Sequence, residues 1–279
     1  MKITIQQYIS LITVLLFCNL GFTQVGIATN SPKGVLDLQA NATTGLIYPR
    51  VPLEATNTPD PVVNPAGGPL EEGTVVYNTS LTTNGTNDVY PGIYAWDGTQ
   101  WATQFIKEDI HVTAQTPLDF RVPISGGYRD VPGIGSGTTF TPKYTGTYRI
   151  IANFNFGAGK IKPPPSGGGA NHDYIRMATQ EGFFRFSFES ADYEIYTHSY
   201  SVFNEHIGTS PGTIYDTFRH DSSLILYEDL VAGQSYSFQL EIDVFVSNTN
   251  DYNNNDTDAY SHVGIELPCT VEFTYLEGN

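Results

Sequence analysis

The sequence contains little cysteine. Two cysteines occur among 279 residues, and Cys18 lies in an N-terminal segment that we expect to be removed. Cys269 then has no intrachain partner, so no disulfide can stabilise the mature chain. Its stability must come from a large hydrophobic core or from assembly. We interpret Cys269 as a buried thiol in a strand, with a reactive thiol as the alternative.

Positive charge is also scarce. The chain has 13 lysines and arginines against 29 aspartates and glutamates, which gives a formal net charge of −16. Phosphate binding needs clustered lysine and arginine side chains, so nucleic acid and anionic lipid are disfavoured as partners. The excess of acidic residues is compatible with divalent cations as ligands.

Long apolar runs are absent apart from "ISLITVLLF" near the start, which is shorter than the roughly 20 residues that a membrane-spanning helix needs. Lys2 precedes this run, and the small residues Gly21 and Thr23 follow it, as is typical of a secretory signal peptide. We therefore expect residues 1–23 to be a signal peptide and Gln24 to begin the mature chain. The protein is predicted to be secreted, extracellular or at the cell surface, without a membrane span.

Sustained helical periodicity is missing as well. Short alternating runs rich in aromatic and β-branched residues recur instead, separated by Gly, Pro, Asn and Asp. The pattern predicts an all-β protein. The composition changes near "IKEDIHVTAQT", which predicts a β-rich N-terminal module over residues 24–106, a linker over 107–116 and a second domain over 117–279.

The C-terminal strands alternate clearly between apolar and polar residues. In "TGTYRIIANFNF" every second side chain from Tyr148 to Phe156 is apolar, and "SYSFQLEIDVFV" repeats this from Tyr236 to Val246. One face of each such strand is predicted to be buried. Eight or more strands of this kind predict a two-sheet sandwich. The other residues predicted to face inward are Phe184, Phe186, Phe188, Val271, Phe273 and Tyr275.

The N-terminal strands are short and their connections long, so we expect this extended module to pack against copies of itself or a neighbour. The ordered series "VGIATNSP", "LDL", "GLIYPRV", "VYNT" and "WDGTQW" resembles the N-terminal region of secreted surface proteins of Bacteroidetes. Segments similar to "VGIATNSP" also occur in the stalks of trimeric phage tail-fibre proteins. The resemblance implies a stalk or assembly module.

The C-terminal domain resembles the jelly-roll domain of the complement C1q and tumour necrosis factor superfamily. In "FTPKYTGTYRI" the family's F…G-x-Y-x-F pattern falls on Phe140, Gly146, Tyr148 and Ile150. "LILYEDLVAGQSYSFQLEI" is similar to that family's paired strands joined by a glycine turn, here at Gly233. The resemblance implies a jelly-roll β-sandwich that forms a homotrimer through aromatic faces.

Both tryptophans lie in "PGIYAWDGTQW". If residues 97–98 form a two-residue hairpin turn, Trp96 pairs with Thr99 and Tyr94 with Trp101. Tyr94, Trp96 and Trp101 then share one face, which makes them candidate ligand-binding residues that could stack on a sugar. The alternative, which we favour, is that these rings form the core of a small β-unit.

An acidic and amide-rich loop, "SNTNDYNNNDTDAY", follows one of the long strands. Short oxygen side chains at close spacing suit Ca²⁺, but the glycine and closing glutamate of an EF-hand loop are absent. We favour a solvated, turn-rich loop, with a calcium site as the alternative. The candidate metal ligands are Asp251, Asn253, Asn255, Asp256 and Asp258.

The sequence shows no strong catalytic motif. The six histidines lack the spacing of a metal site, and "HDSS" at residues 220–223 lacks the elbow that a serine nucleophile needs. We therefore expect a non-enzymatic, trimeric structural, adhesion or recognition protein. The alternative is a lectin-like carbohydrate-binding protein, with or without calcium. The expected partners are further copies of the chain and a surface glycan or protein.

Overall fold

The computed structural model confirms an all-β fold. Residues 1–49 and 50–279 form two compact units, and the predicted signal peptide lies outside the described residues. In the part of the chain that the structure describes, no helix is long and apolar enough to cross a membrane. The described residues are 24–39, 43–124, 127–162, 175–204, 213–216, 218–247, 251–252 and 256–276.

The first unit contains two short parallel strands, β1 (Val25–Ile27) and β2 (Leu36–Leu38). Val25 and Leu36 pair in register, yet both side chains are exposed. Two strands of three residues offer too little surface to cover their own apolar side chains. This agrees with the expectation that the N-terminal segment needs a partner to bury them.

The second unit begins with a small four-stranded sheet. Its strands are β3 (Arg50–Val51), β4 (Val75–Asn78), β5 (Gly92–Trp96) and β6 (Trp101–Thr103), in that spatial order. A short 3₁₀ helix, η1 (Gly85–Asn87), lies in the connection between β4 and β5. Unlike the described residues of the first unit, this sheet has its own core, made of Leu53, Val76, Val89, Tyr94, Trp96 and Trp101.

The rest of the second unit is a sandwich of two sheets. Its strands are β7 (Ile110–Ala114), β8 (Phe120–Val122), β9 (Arg129–Asp130), β10 (Thr138–Phe140), β11 (Gly146–Gly157), β12 (Ile175–Phe188), β13 (Ala191–Asn204), β14 (Thr213–Tyr215), β15 (Arg219–Leu230), β16 (Tyr236–Ser247), β17 (Ser261–Val263) and β18 (Thr270–Tyr275). A second 3₁₀ helix, η2 (Thr257–Ala259), precedes β17.

The sandwich has the strand order of a jelly roll. One sheet contains β10-β16-β12-β13, and the other contains β7-β18-β11 with β15 on the free edge of β11. Every pairing between these strands is antiparallel. The short strands β8, β9, β14 and β17 extend the two sheets.

The predicted inward faces are confirmed over the side chains that the structure describes, which do not include Val246; Tyr275 is half-buried. The apolar side chains from Tyr148 to Phe156 are buried, as are Phe184, Phe186 and Phe188 on β12. Together with the inward residues of β16 and β18 they form one core between the sheets. Alternation in the sequence therefore identified the buried side of each long strand.

Two expectations differ from the structure. The expected linker over residues 107–116 contains β7, which pairs with β18 and so belongs to the sandwich. The predicted pairing of the strands around Gly233 is wrong, because β15 pairs with β11 whereas β16 pairs with β12. Gly233 does lie in a turn with a φ of 76°, but this turn carries the chain from one sheet to the other. Both strands have an apolar face, and each contributes it to the shared core from its own sheet.

Candidate functional site

The tryptophan hairpin has a different register from the one predicted. Trp96 pairs with Trp101 and Tyr94 with Thr103, so the loop contains four residues instead of two. The Asp97 carboxylate accepts hydrogen bonds from the backbone N–H groups of Gln100 and Thr99, at 2.7 and 2.8 Å. These bonds lower the pKa of Asp97 and favour the longer turn.

The three candidate ligand-binding rings lie inside the small sheet. Tyr94, Trp96 and Trp101 are 0%, 6% and 2% exposed. The Trp101 indole N–H donates to the Thr58 carbonyl oxygen at 2.9 Å, and the Tyr94 hydroxyl accepts from the Tyr90 N–H at 2.9 Å. Burial raises the pKa of Tyr94 to about 12. The rings therefore pack against one another and present no open face to a sugar in the single chain.

Partly buried hydrogen bonds join the small sheet to the sandwich. The Thr145 hydroxyl donates to Asp88 Oδ2 at 2.6 Å, and the Thr145 N–H donates to the Tyr90 hydroxyl at 2.9 Å. The Tyr90 and Tyr144 rings meet edge to face at 4.8 Å. Because Asp88, Tyr90 and Tyr144 are buried whereas Thr145 is half-buried, these bonds are partly shielded from water.

The outer surface of the sheet β7-β18-β11-β15 carries two rows of paired residues. One row contains Val112, Glu272, Ile151 and Ile225, and the other contains Ile110, Thr274, Arg149 and Tyr227. We call these eight residues the outer apolar face. Arg149 and Glu272 form an ion pair of 3.6 Å at its centre.

Four large side chains of the outer apolar face are open to solvent. Ile110, Val112, Ile225 and Tyr227 are 66%, 53%, 52% and 62% exposed. They lie on β7 and β15, the two outermost of the four long strands in this sheet. Clustered exposed apolar side chains mark interaction surfaces more often than isolated ones do.

The carboxylates of the Asp/Asn loop already have partners within the chain. Asp251 forms an ion pair with Arg176, and Asp258 lies 3.5 Å from the Lys160 ammonium. Asp256 accepts a hydrogen bond of 3.1 Å from the Asp258 N–H, at the start of η2. The other two candidate metal ligands, Asn253 and Asn255, lie outside the described residues.

A guanidinium group occupies the place where main-chain oxygens of this loop converge. Arg121 Nη2 donates to the carbonyl oxygens of Thr257, Asp258 and Tyr260, at 3.0, 2.7 and 2.8 Å. Arg121 also donates to His262 Nδ1 at 2.9 Å. Over the residues with described placement, no group of three or more His, Cys, Asp or Glu could hold a metal ion.

We expect calcium to leave the stability of the protein unchanged. Asp251 and Asp258 are neutralised by Arg176 and Lys160, so a cation would have to displace these partners before it gained its ligands. Melting curves in millimolar calcium and in millimolar magnesium should coincide. A calcium-specific rise in melting temperature that disappears when Asp251→Ala and Asp256→Ala are combined would contradict this prediction.

The residues considered for catalysis are separated in the fold. Alternation along β15 places His220 and Ser222 on its inner side and Asp221 and Ser223 on its outer side. Cys269 is buried as expected, although it lies immediately before β18 and not in a strand. Burial raises the pKa of its thiol to about 12. A thiol with such a pKa is almost entirely protonated at neutral pH and is a weak nucleophile.

Residues 24–114 match the family model of a phage tail-like trimerisation region. The match supports a trimeric structural module. It spans the first unit, the small sheet and β7, so it ends on a strand that contributes Ile110 and Val112 to the outer apolar face. No curated protein matches the chain.

Proposed function

We propose that this protein is a non-enzymatic homotrimer of the cell surface or the extracellular space. Residues 24–114 form its assembly module, and the jelly roll is its head for adhesion or recognition. The observation that carries the proposal is the trimerisation match, which continues into β7 of the head. Export is proposed from the signal-like residues 1–23.

The outer apolar face supplies a surface for the contact between heads. A cyclic trimer repeats one contact three times, and each copy offers one patch to the next copy. Ile110 and Val112 belong to the matched region, whereas Ile225 and Tyr227 belong to the jelly roll. One face thus contains residues of both parts, so assembly of the module brings the head surfaces of neighbouring copies close together.

A charge placed on this face should weaken the trimer. Burying an uncompensated carboxylate costs free energy. The Ile225→Asp trimer should therefore dissociate at a concentration about tenfold or more above that of the wild-type trimer. Sedimentation velocity over a dilution series measures this. Thr179→Asp adds the same charge at an exposed position of β12 on the other sheet and should assemble like the wild type. Equal dissociation of both variants would show that the face is not in the interface.

An exposed aromatic strip favours the lectin-like alternative as a second candidate function. Phe183 lies 5.8 Å from Tyr196 and 5.2 Å from Phe245, measured between ring centroids, on the outer side of the other sheet. Tyr196 and Phe245 are exposed, and aromatic rings at a surface can contact the apolar side of a sugar. A glycan array, read with and without a chelator, tests this reading. Binding that survives Phe245→Ala would place the sugar elsewhere.

A further inference from the structure

A cavity of about 700 Å³ lies between the small sheet and the sandwich. Its volume falls within the range of about 300–1,000 Å³ that is usual for small-molecule sites. Such sites often occur where two substructures meet, as here. Leu81, Phe105 and Ile106 line it from one side, and Pro142, Tyr144 and Ala232 line it from the other.

The walls of the cavity are held in place by the junction described above. Tyr90 and Tyr144 both line the cavity, and their rings contact each other edge to face. The Tyr90 hydroxyl is held by two hydrogen bonds, one from the Thr145 N–H and one to Asp88 Oδ2. The Ala232 N–H donates to the Thr145 hydroxyl at 3.0 Å, which anchors the opposite wall. The cavity is therefore preformed and mostly apolar.

Two ammonium groups lie beside these aromatic walls. Lys143 Nζ lies 4.9 Å from the centre of the Tyr144 ring, and Lys107 Nζ lies 5.4 Å from the centre of the Tyr90 ring. The hydrogen bond between Lys143 and Tyr144 raises the pKa of the lysine, which is charged at neutral pH even without this bond. Of these two lysines, Lys143 belongs to the cavity lining, where it places a positive charge at a mostly apolar wall in a chain with a net charge of −16.

The carboxylates near the cavity are bonded to protein groups. Asp88 Oδ2 accepts from Thr145 inside the junction. Asp109 Oδ2 accepts from the Tyr148 hydroxyl at 2.7 Å and from the backbone N–H of Lys143 at 2.8 Å. Each of these bonds engages a carboxylate oxygen with a protein donor, and Lys143 itself lines the cavity.

We propose that this cavity binds an amphipathic carboxylate, a ligand with an apolar aromatic or alkyl body and one anionic head group. The body packs between Phe105 and Tyr144, and the head group pairs with the Lys143 ammonium. Apolar walls with one well-placed charged group are the usual composition of such a site. The proposal goes beyond trimer assembly and does not depend on it.

The test is a fluorescence titration of residues 24–279 with 8-anilinonaphthalene-1-sulfonate, a probe with an aromatic body and one negative charge. We expect saturable binding at one probe per chain and displacement by decanoate. Lys143→Gln should weaken probe and decanoate binding about tenfold, because a charged hydrogen bond is lost. The neutral competitor decanol should bind both forms equally. Lys33→Gln, with the same loss of charge in the first unit, should behave like the wild type.

A second variant guards against an effect of misfolding. Leu81→Asp introduces a carboxylate at an exposed position of the cavity rim and should also weaken binding of the probe. The near-ultraviolet circular dichroism spectrum of this variant should be unchanged. Wild-type affinity in both variants would show that the probe binds elsewhere and would overturn the proposal. Absence of saturable binding would overturn it as well. Probe affinity that falls as the chains assemble would show that a second copy fills the cavity, which also contradicts the proposal.

Discussion

Replacing Tyr148 with alanine should lower the free energy of unfolding by about 3–5 kcal/mol, the usual cost of removing a large buried aromatic side chain. Tyr148 is fully buried in β11, and its ring contacts those of Phe140 and Tyr275 at 5.5 and 5.3 Å. Its hydroxyl donates to Asp109 Oδ2 at 2.7 Å. The substitution thus leaves a cavity in the core and removes one of the two hydrogen-bond donors to the Asp109 carboxylate.

Tyr148→Phe separates these two effects. It keeps the ring but removes the hydroxyl, so the loss should be smaller, about 1–3 kcal/mol. Tyr196→Ala, at an exposed position of the other sheet, controls for the loss of a tyrosine in general and should have a much smaller effect than Tyr148→Ala. Denaturant titrations at one fixed protein concentration provide the comparison, because assembly changes apparent stability. Equal losses for Tyr148→Ala and Tyr196→Ala would mean that the core has been assigned to the wrong face.

The second large effect is expected at Asn78, which is buried at the end of β4. Its side-chain oxygen accepts from the N–H groups of Leu53 and Ser80, both at 2.9 Å. Its side-chain nitrogen donates to the carbonyl oxygens of Ser80 and Tyr90, also at 2.9 Å. Asn78→Ala leaves these groups without a partner and should cost about 3 kcal/mol, since each buried unpaired group carries a penalty.

Asn64 offers a matched control on the surface of the same unit. Its side chain bonds to Pro69, Glu71 and Ala66 at distances of 3.0 to 3.3 Å, but in exposed positions. Water can replace these bonds, so Asn64→Ala should cost about 1 kcal/mol or less. Denaturant titration of both variants gives the difference. A loss at Asn64 as large as that at Asn78 would show that the number of bonds, and not their burial, sets the stability of the small sheet.

The sequence was sufficient to predict which faces of the long strands are buried. In β11, for example, every second residue from Tyr148 to Phe156 is apolar, and a sheet with one buried face requires this period. The all-β class follows from the same signal. These predictions depend only on neighbours along the chain, which is why they could be made without a structure.

Pairing between strands was harder to predict, because it depends on contacts that are distant in sequence. The chain around Gly233 looks like a hairpin, yet β15 joins the strand that begins at Gly146 and β16 joins β12. In the tryptophan hairpin, the side chain of Asp97 bonds to the backbone and lengthens the turn by two residues. Neither difference changes the pattern of apolar and polar residues on which the predictions were based.

The candidate sites were predicted least well. Ile110 and Val112 alternate in "DIHVTA", but the run is short and lies where the composition changes, which favours a linker. The cavity residues come from five separate segments around Leu81, Tyr90, Phe105, Tyr144 and Ala232, which no local motif connects. Tyr94, Trp96 and Trp101 were correctly placed on one face, and the contact between Trp96 and Trp101 shows how that face is used in packing.

Light scattering coupled to size-exclusion chromatography of residues 24–279 tests the central claim most directly. The trimerisation match over residues 24–114 and the outer apolar face together predict a particle of three chains at micromolar concentration. A mass three times that of the chain, unchanged on tenfold dilution, is the expected result. A stable monomer at the same concentration would contradict the account.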